Sequence, residues 1–393
     1  MREITLIFLI IFVNTIFLLF AINGLSIHAQ EALIYFEGVG FLHVITHFFT
    51  SVLGQNDFAL RLPFLLLHVG SLVLLYKIAK PLLKHKIDRV VSVGIYALLP
   101  GVNSAALLVD PAGIVIFVTL LFVYLYMQCF YKSAFTVLVA TLFIDNAFAI
   151  LYLSLFFYAI HKREKPLIFL SLTLFTLCMY AYGFDTGGKP KGYFLDTLGV
   201  YAAIFSPLLF LYFIYALYRI LIKEEKNLLW FISFSALLLS LLLSFRQKLH
   251  IEEFAPFVVL AIPLMVRVFY NSFRVRLPIH RRYHKILFIV IFSSLAFNFA
   301  LSVFNKPLYG FVQDPKKHFS YDYHIAKDLA QKLKDNNINY ITTSDDALQL
   351  RLKFYGIKSG NAYKLTSYPM YKKEQKTFKI TYAGVLVKTF YLY

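Results

Sequence analysis

Apolar runs long enough to cross a bilayer as helices recur from Ile4 to Phe304, and no other feature restricts the fold as tightly. About 18 apolar residues in helical form span roughly 30 Å of hydrocarbon. The runs are continuous, whereas the strands of a membrane barrel alternate apolar and polar residues, so a closed β-barrel is excluded. Composition agrees: 59% of residues are hydrophobic and 15% charged, against about 45–50% and about 25% in an ordinary soluble domain. The runs predict eleven crossings, at about 4–22, 58–75, 90–107, 112–129, 134–143, 147–160, 167–182, 198–220, 228–243, 254–268 and 286–304, of which the fifth and sixth are the shortest. The expected fold is therefore an all-α polytopic membrane domain over residues 1–304. The first run follows Met1, Arg2 and Glu3 and is longer than the apolar core of a cleaved signal, so it is expected to remain as an anchor. Cys129 and Cys178 both lie inside apolar runs, which removes a disulfide framework or a cysteine-rich metal site from consideration.

The net charge of +18 raises the question of nucleic-acid binding, and its distribution answers it. The loops on the side of the N-terminus hold Arg2; Lys77, Lys80, Lys84, Lys86 and Arg89; Lys132; Lys162, Arg163 and Lys165; Arg219, Lys223 and Lys226; and Arg267, Arg274, Arg276, Arg281, Arg282 and Lys285. The opposite short loops hold only Arg61, Lys189, Lys191, Arg246 and Lys248. Positive charge is retained in the cytoplasm. The N-terminus is thus expected inside a bacterial inner membrane, an odd number of crossings places the C-terminus outside, and no nucleic-acid partner is implied.

Residues 305–393 carry the remaining basic residues and no spanning run, which marks a separate extracytoplasmic domain. Ile325, Leu329 and Leu333 have helical spacing; 338–341 reads as a strand; Ser344 is placed to cap a helix through Leu352, with Gly356 ending it; 378–382 and 385–391 read as two further strands. A small α/β unit with a modest core is expected.

Chemistry is then sought in the outward loops. Residues 23–57 read NGLSIHAQEALIYFEGVGFLHVITHFFTSVLGQND. Glu31, Tyr35 and Glu37 come early, and the apolar stretch 40–52 with His43 and His47 four residues apart is expected to lie as a helix in the membrane interface. The two histidines share one face and either ligate a metal or serve as an amphipathic surface. The Gly-rich stretch 183–192 offers Lys189 and Lys191 to a phosphate, or is simply a turn between two helices. Asp145 and Asn146 either line a cavity or form an outward turn, and His250, Glu252 and Glu253 form either a metal-ligand cluster or a wet loop.

Residues 54–63, GQNDFALRLP, with the loop before them, resemble the first loop and second helix of GT-C glycosyltransferases, in the branch of protein O-mannosyltransferases and lipid A aminoarabinose transferase (glycosyltransferase family 39 type). In order along the chain, PGVNSAALLVDP at 100–111 resembles the family's third-to-fourth-helix turn, Ser206 and Pro207 its mid-chain helix, and SFRQKLHIEEFAPFVVLAIP at 244–263 its basic loop leading into a Pro-containing helix. The resemblance covers about residues 1–270. It implies sugar transfer from a polyprenyl-phosphate carrier to an acceptor on the outer face of the membrane, with an acidic residue of the first loop as base. Where the family has Asp-Glu-Ala, this chain has Gln30-Glu31-Ala32, and an amide cannot take the proton.

Displacing a lipid phosphate needs a carboxylate to deprotonate the acceptor and a cation, a divalent metal among the candidates, for the leaving phosphate. Glu31 and Asp110 are the expected catalytic carboxylates, with Glu37 as a rival to Glu31, and Arg246 and Lys248 the expected phosphate ligands. Asp110 precedes Pro111 and is equally suited to cap a helix. The competing classes are a lipid or sugar transporter, which would be expected to show internal repeats that this chain lacks, and a noncatalytic protein derived from the transferase fold.

Overall fold

A computed structural model describes residues 2–183, 192–369 and 375–393. The chain opens with α1 (Glu3–Gly24), followed by α2 (Ala29–Glu37), α3 (Phe41–Leu53) and α4 (Asp57–Leu82). Next come α5 (Lys86–Leu98), α6 (Pro100–Leu107), α7 (Pro111–Met127), α8 (Tyr131–Ala140), α9 (Phe148–Lys162) and α10 (Lys165–Tyr182). Then follow α11 (Phe194–Phe205), α12 (Pro207–Lys223), α13 (Leu228–Ser244), α14 (Ile251–Val275, with 3-10 turns in its first half) and α15 (Pro278–Val303). The tail adds α16 (Ile325–Asp335) and α17 (Asp346–Phe354) and the strands β1 (Tyr340–Thr343), β2 (Lys358–Thr366), β3 (Lys376–Tyr382) and β4 (Val385–Leu392).

Among the described residues α1, α4, α10, α14 and α15 are straight helices long and apolar enough to cross a bilayer; counting each bent pair as one span raises the number to 8, and α7, α8 with its 3-10 extension, α9 and α13 are shorter apolar helices. Two of the eleven expected crossings are not single rods. The span expected at 90–107 bends by 58° between α5 and α6, and the one expected at 198–220 is two helices, α11 and α12, at 104°. Proline is the cause in both: Pro100 and Pro207 begin α6 and α12, and a proline has no N–H to continue the preceding helix.

A broken helix at membrane depth frees backbone groups that must find partners. At the first break the buried Ala97 carbonyl accepts from the side-chain amides of Asn14 (2.9 Å) and Asn103 (2.9 Å), and the Asn14 carbonyl oxygen bonds His68 Nε2 (2.8 Å). Three polar side chains that look misplaced in apolar helices are thus the repair of a proline break. Gly101 lets the second break come close: a Cβ there would lie 2.5 Å from Cγ2 of Ile204. At that second break Ser206 takes φ +73°, and its hydroxyl bonds the Ser294 hydroxyl at 3.1 Å.

Two compact units result. The first comprises Met1–Thr15, Phe64–Ala106 and Asp110–Phe299. Its core is a continuous set of buried apolar side chains from α5, α7, α9, α13 and α14, among them Tyr96, Phe122, Phe148 and Phe257. The second comprises Ile16–Pro63, Leu107–Val109 and Ala300–Tyr393. Its sheet has the order β1-β2-β4-β3, with β1 parallel to β2 and the other pairs antiparallel. One face is covered by apolar residues of α16 and α17, including Ile325, Leu329, Leu333, Leu348 and Leu352.

The helices and three of the four strands of the tail lie where the sequence predicts them. Two details differ. The helix after β1 is capped by Asp345, whose carboxylate accepts from the Leu348 N–H at 3.0 Å, rather than by Ser344. β2, sequence KSGNAYKLT, has a mostly exposed pattern with no apolar alternation to reveal it. Within the second unit α3 turns 87° from α2, with Val44, Phe48 and Val52 exposed and Thr46 and Thr50 buried, the amphipathic arrangement expected of an interfacial helix.

Candidate functional site

Glu31 sits at the third position of α2, where it closes a capping box: its Oε2 accepts from the His28 N–H at 2.8 Å, while His28 Nδ1 accepts from the Gln30 N–H. The same oxygen accepts from Arg61 Nη2 at 2.7 Å, and Oε1 accepts from the Val109 N–H at 3.0 Å. Glu31 is 2% exposed and Arg61 0%. Arg61 further donates to the carbonyls of Leu25 (3.2 Å) and Ser26 (3.0 Å) and lies 3.8 Å from Asp57, one turn earlier on α4. Three donors, one of them a guanidinium, thus engage the Glu31 carboxylate.

The charges continue into the tail of the same unit. Asp57 accepts from the Tyr355 hydroxyl at 2.6 Å and pairs with Lys327 at 3.0 Å. The Tyr355 oxygen accepts from the Ile27 N–H (2.9 Å), and Arg351 Nε donates to the Ile27 carbonyl (2.9 Å). Burial pushes the Tyr355 phenol up, the Asp57 charge adds to it, and burial lowers Arg351 despite Asp322 nearby. The first loop from Leu25 to Glu31 is therefore stitched to Arg61, Arg351 and Tyr355. Gln30, in the position of the family's Asp, is exposed.

Glu37, the last residue of α2, is exposed, and among the described residues no ion pair involves it. His43 Nδ1 bonds the Ile34 carbonyl (3.0 Å) and His47 Nε2 the Tyr35 carbonyl (2.6 Å), with the His47 ring stacked on Tyr35. The histidine pair thus satisfies the end of α2, whose last carbonyls have no partner within the helix. Asp110 is the N-cap of α7 and accepts from the Ala112 N–H at 2.7 Å, with Pro111 next to it. It belongs to the first unit, Glu31 to the second.

The first unit contains a cavity of about 300 Å³ lined by Pro111 and Ala112 at the start of α7, Asp145 to Ala147 before α9, and His250, Glu252 and Glu253 at the entry to α14. Asp145 accepts from the Ala147 N–H (2.8 Å), and Glu253 accepts from the Asn146 amide (3.4 Å). Burial raises the Asp145 carboxyl above its usual value, and the Ala147 bond opposes this. Arg246 and Lys248 stand just before this stretch, both exposed, with no ion-pair partner among the described residues. Among those residues no three His, Cys, Asp or Glu side chains stand close enough to hold a metal ion, so no step is assigned to one. Lys189 and Lys191 lie outside the described residues.

The structure thus gathers Asp145, Asn146, His250, Glu252 and Glu253, which the sequence offers only as two separate loops. It also shows partners of Glu31 that sequence reasoning missed. For Arg61 a signal existed, since Asp57 and Arg61 stand four apart on one helix. Tyr355 and Arg351, some 320 residues away from Ile27, leave no such signal.

The family described as dolichyl-phosphate-mannose-protein mannosyltransferase matches residues 41–182. That segment includes Asp110 and Asp145 but neither Glu31, Glu37 nor the loop from Arg246 to Glu253. The crystal structure of ArnT from Cupriavidus metallidurans in the apo state has a similar fold, with TM-score 0.57 and 10% identity, covering 98% of this chain and 97% of that one. No curated protein matches the chain. The two matches bear out the resemblance to the GT-C superfamily: the chain has a GT-C fold with several apolar spans and a small C-terminal sheet domain.

Proposed function

We propose that this protein transfers a sugar from a polyprenyl-phosphate carrier to an acceptor on the outer face of the membrane, with its N-terminus in the cytoplasm and residues 305–393 forming the outer domain. One observation carries this reading: a single stretch, Arg246 to Glu253, offers two cations without an ion-pair partner among the described residues and then three ionisable side chains on a cavity that Asp145 also lines. Phosphate departure and acceptor deprotonation need these two kinds of group side by side.

In this scheme Arg246 and Lys248 hold the donor phosphate. Glu253 takes the proton of the acceptor hydroxyl as its oxygen attacks the anomeric carbon, the bond from that carbon to the phosphate oxygen breaks, and the cations receive the charge. Glu253 faces the cavity with the Asn146 amide beside it, and Asp145 lines the same space. Asp110 orders the rim of the cavity as the cap of α7. Glu31, with its lone pairs engaged by three donors, holds the first loop in place, and Glu37 is the free carboxylate of that loop.

The second reading is a noncatalytic protein of the same fold, favoured by the amide at Gln30 and the engaged state of Glu31. Reconstituted protein given polyprenyl-phosphate sugars decides between them. Transfer by wild type, lost in Glu253→Gln and kept in Glu37→Gln, supports the assignment. Loss in Glu37→Gln alone moves the base to the first loop, and no transfer from any donor supports the second reading. A reporter active only in the periplasm, fused after Tyr393, tests the orientation: it is expected to be active, and a fusion after Lys165 inactive.

A further inference from the structure

The junction of α14 and α15, from the end of α14 through the first two turns of α15, reads RVRLPIHRRYHK over residues 274–285, with no acidic residue. Two of its cations are committed. Arg274 pairs with Asp88 of α5 at 2.5 Å and lies over the Tyr270 ring. Arg281 donates to the carbonyls of Arg276 (2.8 Å) and Arg274 (3.0 Å), closing the end of α14. Arg276, Arg282 and Lys285 are exposed and, among the described residues, have no ion-pair partner. The arginines of neighbouring loops differ: Arg89 pairs with Glu3, and Arg267 with Glu224. Beside and between these cations stand Val275, before Arg276, and Leu277 and Ile279, after it, 88%, 69% and 79% exposed. A topology signal needs charge, but it needs neither unpaired charge nor bare apolar side chains between the cations.

A second feature meets this junction. A narrow apolar groove is lined by Val91 and Ile95 of α5, Tyr212 of α12, Phe269 of α14 and Phe288 and Ile291 of α15. Tyr270, under Arg274, also lines it. Lys285, Phe288 and Phe292 follow at helical steps on α15, so a free cation heads the row of side chains that forms the groove wall.

We propose that this junction and groove bind one anionic phospholipid, its phosphate held by Arg276, Arg282 and Lys285 and one acyl chain laid in the groove. The cations complement the headgroup, the wholly apolar lining of the groove suits an acyl chain, and the bare apolar residues of the junction enter the interface beside it. Basic pockets between spanning helices bind acidic lipids by this chemistry.

The test uses the full-length protein in detergent with equal amounts of phosphatidylglycerol and phosphatidylcholine, and reads retained lipid by native mass spectrometry. Phosphatidylglycerol is expected to be retained about 10-fold or more over phosphatidylcholine, since each cation near an acidic headgroup contributes separately. Arg276→Gln, Arg282→Gln and Lys285→Gln together should bring the ratio to about one, while Arg276→Lys with Arg282→Lys should keep it. Ile291→Trp, which fills the groove, should lower retention with all charges intact. Lys84→Gln with Lys86→Gln, on a neighbouring basic loop, should change nothing. Equal retention of the two lipids by wild type overturns the proposal. So does an equal loss in the Lys84 and Lys86 variant, or displacement of lipid by glycerol phosphate at the concentration at which phosphatidylglycerol binds.

Discussion

Two groups of carboxylates occupy the two units, and they are built in opposite ways. In the second unit Glu31 and Asp57 are buried against the fully buried Arg61, and their bonds run to backbone groups and to Tyr355 and Lys327. In the first unit Asp145 and Glu253 line a cavity of about 300 Å³, Asp145 accepting from the nearby Ala147 N–H and Glu253 from the distant Asn146 amide; neither has a salt bridge among the described residues, and burial raises the Asp145 carboxyl. A paired, fully bonded carboxylate is a structural fastener, because removing a proton acceptor that already serves three donors gains the reaction nothing. A carboxylate in a roomy cavity with raised proton affinity is suited to exchanging protons. The first loop is where the resemblance to known transferases places the base, whereas the roomy cavity lies in the other unit.

The largest effect that would break this contrast is expected at the fastener. Arg61→Met should destabilise the protein by about 3–5 kcal/mol by leaving Glu31 buried without its cation. Adding Glu31→Gln to Arg61→Met should recover part of that loss, since the stranded charge is gone. Thermal unfolding of the purified variants reads both; a double variant no better than the single one would mean that Glu31 does not depend on Arg61.

Next in size is the cavity. Glu253→Gln should lower turnover about 10²-fold, equivalent to about 2.7 kcal/mol, with an unchanged unfolding midpoint. A fall in stability without a fall in turnover would place Glu253 among the fasteners.

The second unit also carries an acid-sensitive group that sharpens the comparison. His324 is buried among Tyr309, His318 and Asn305, and burial, with Lys306 and His318 beside it, lowers it to about 3. Its folded pKa lies below the unfolded 6.5, so the unfolded state binds the proton first. The stability it contributes is present above about pH 6.5 and is lost as pH falls towards about 3, at up to about 1.4 kcal/mol per pH unit. Unfolding of the wild type between pH 7 and 4 should show this slope, and His324→Gln should flatten it.

The smallest effect belongs to the exposed cations. Arg246→Gln with Lys248→Gln should raise the apparent KM for the lipid donor several-fold and leave kcat and stability nearly unchanged, because solvent-exposed charges contribute little to folding. An unchanged KM would leave them as loop charges.

The amino-acid order by itself determined the mostly helical class with several apolar spans and the helices and most strands of the tail. Each of these follows from apolar length, period and capping residues within about twenty positions of one another. The same local information marked Pro100 and Pro207 but could not say that Asn14, His68 and Asn103 repair the first break, since those partners come from three different helices. β2 was invisible because its residues are mostly exposed and lack alternation. For the candidate site, the sequence supplied the residue types and the loops, and only the tertiary structure shows their surroundings. Whether a carboxylate is a fastener or a proton acceptor depends on what surrounds it. For Glu31 that surrounding includes Arg61 and the Val109 N–H, and for the network behind it Arg351 and Tyr355, groups that folding brings from as far as 328 positions away.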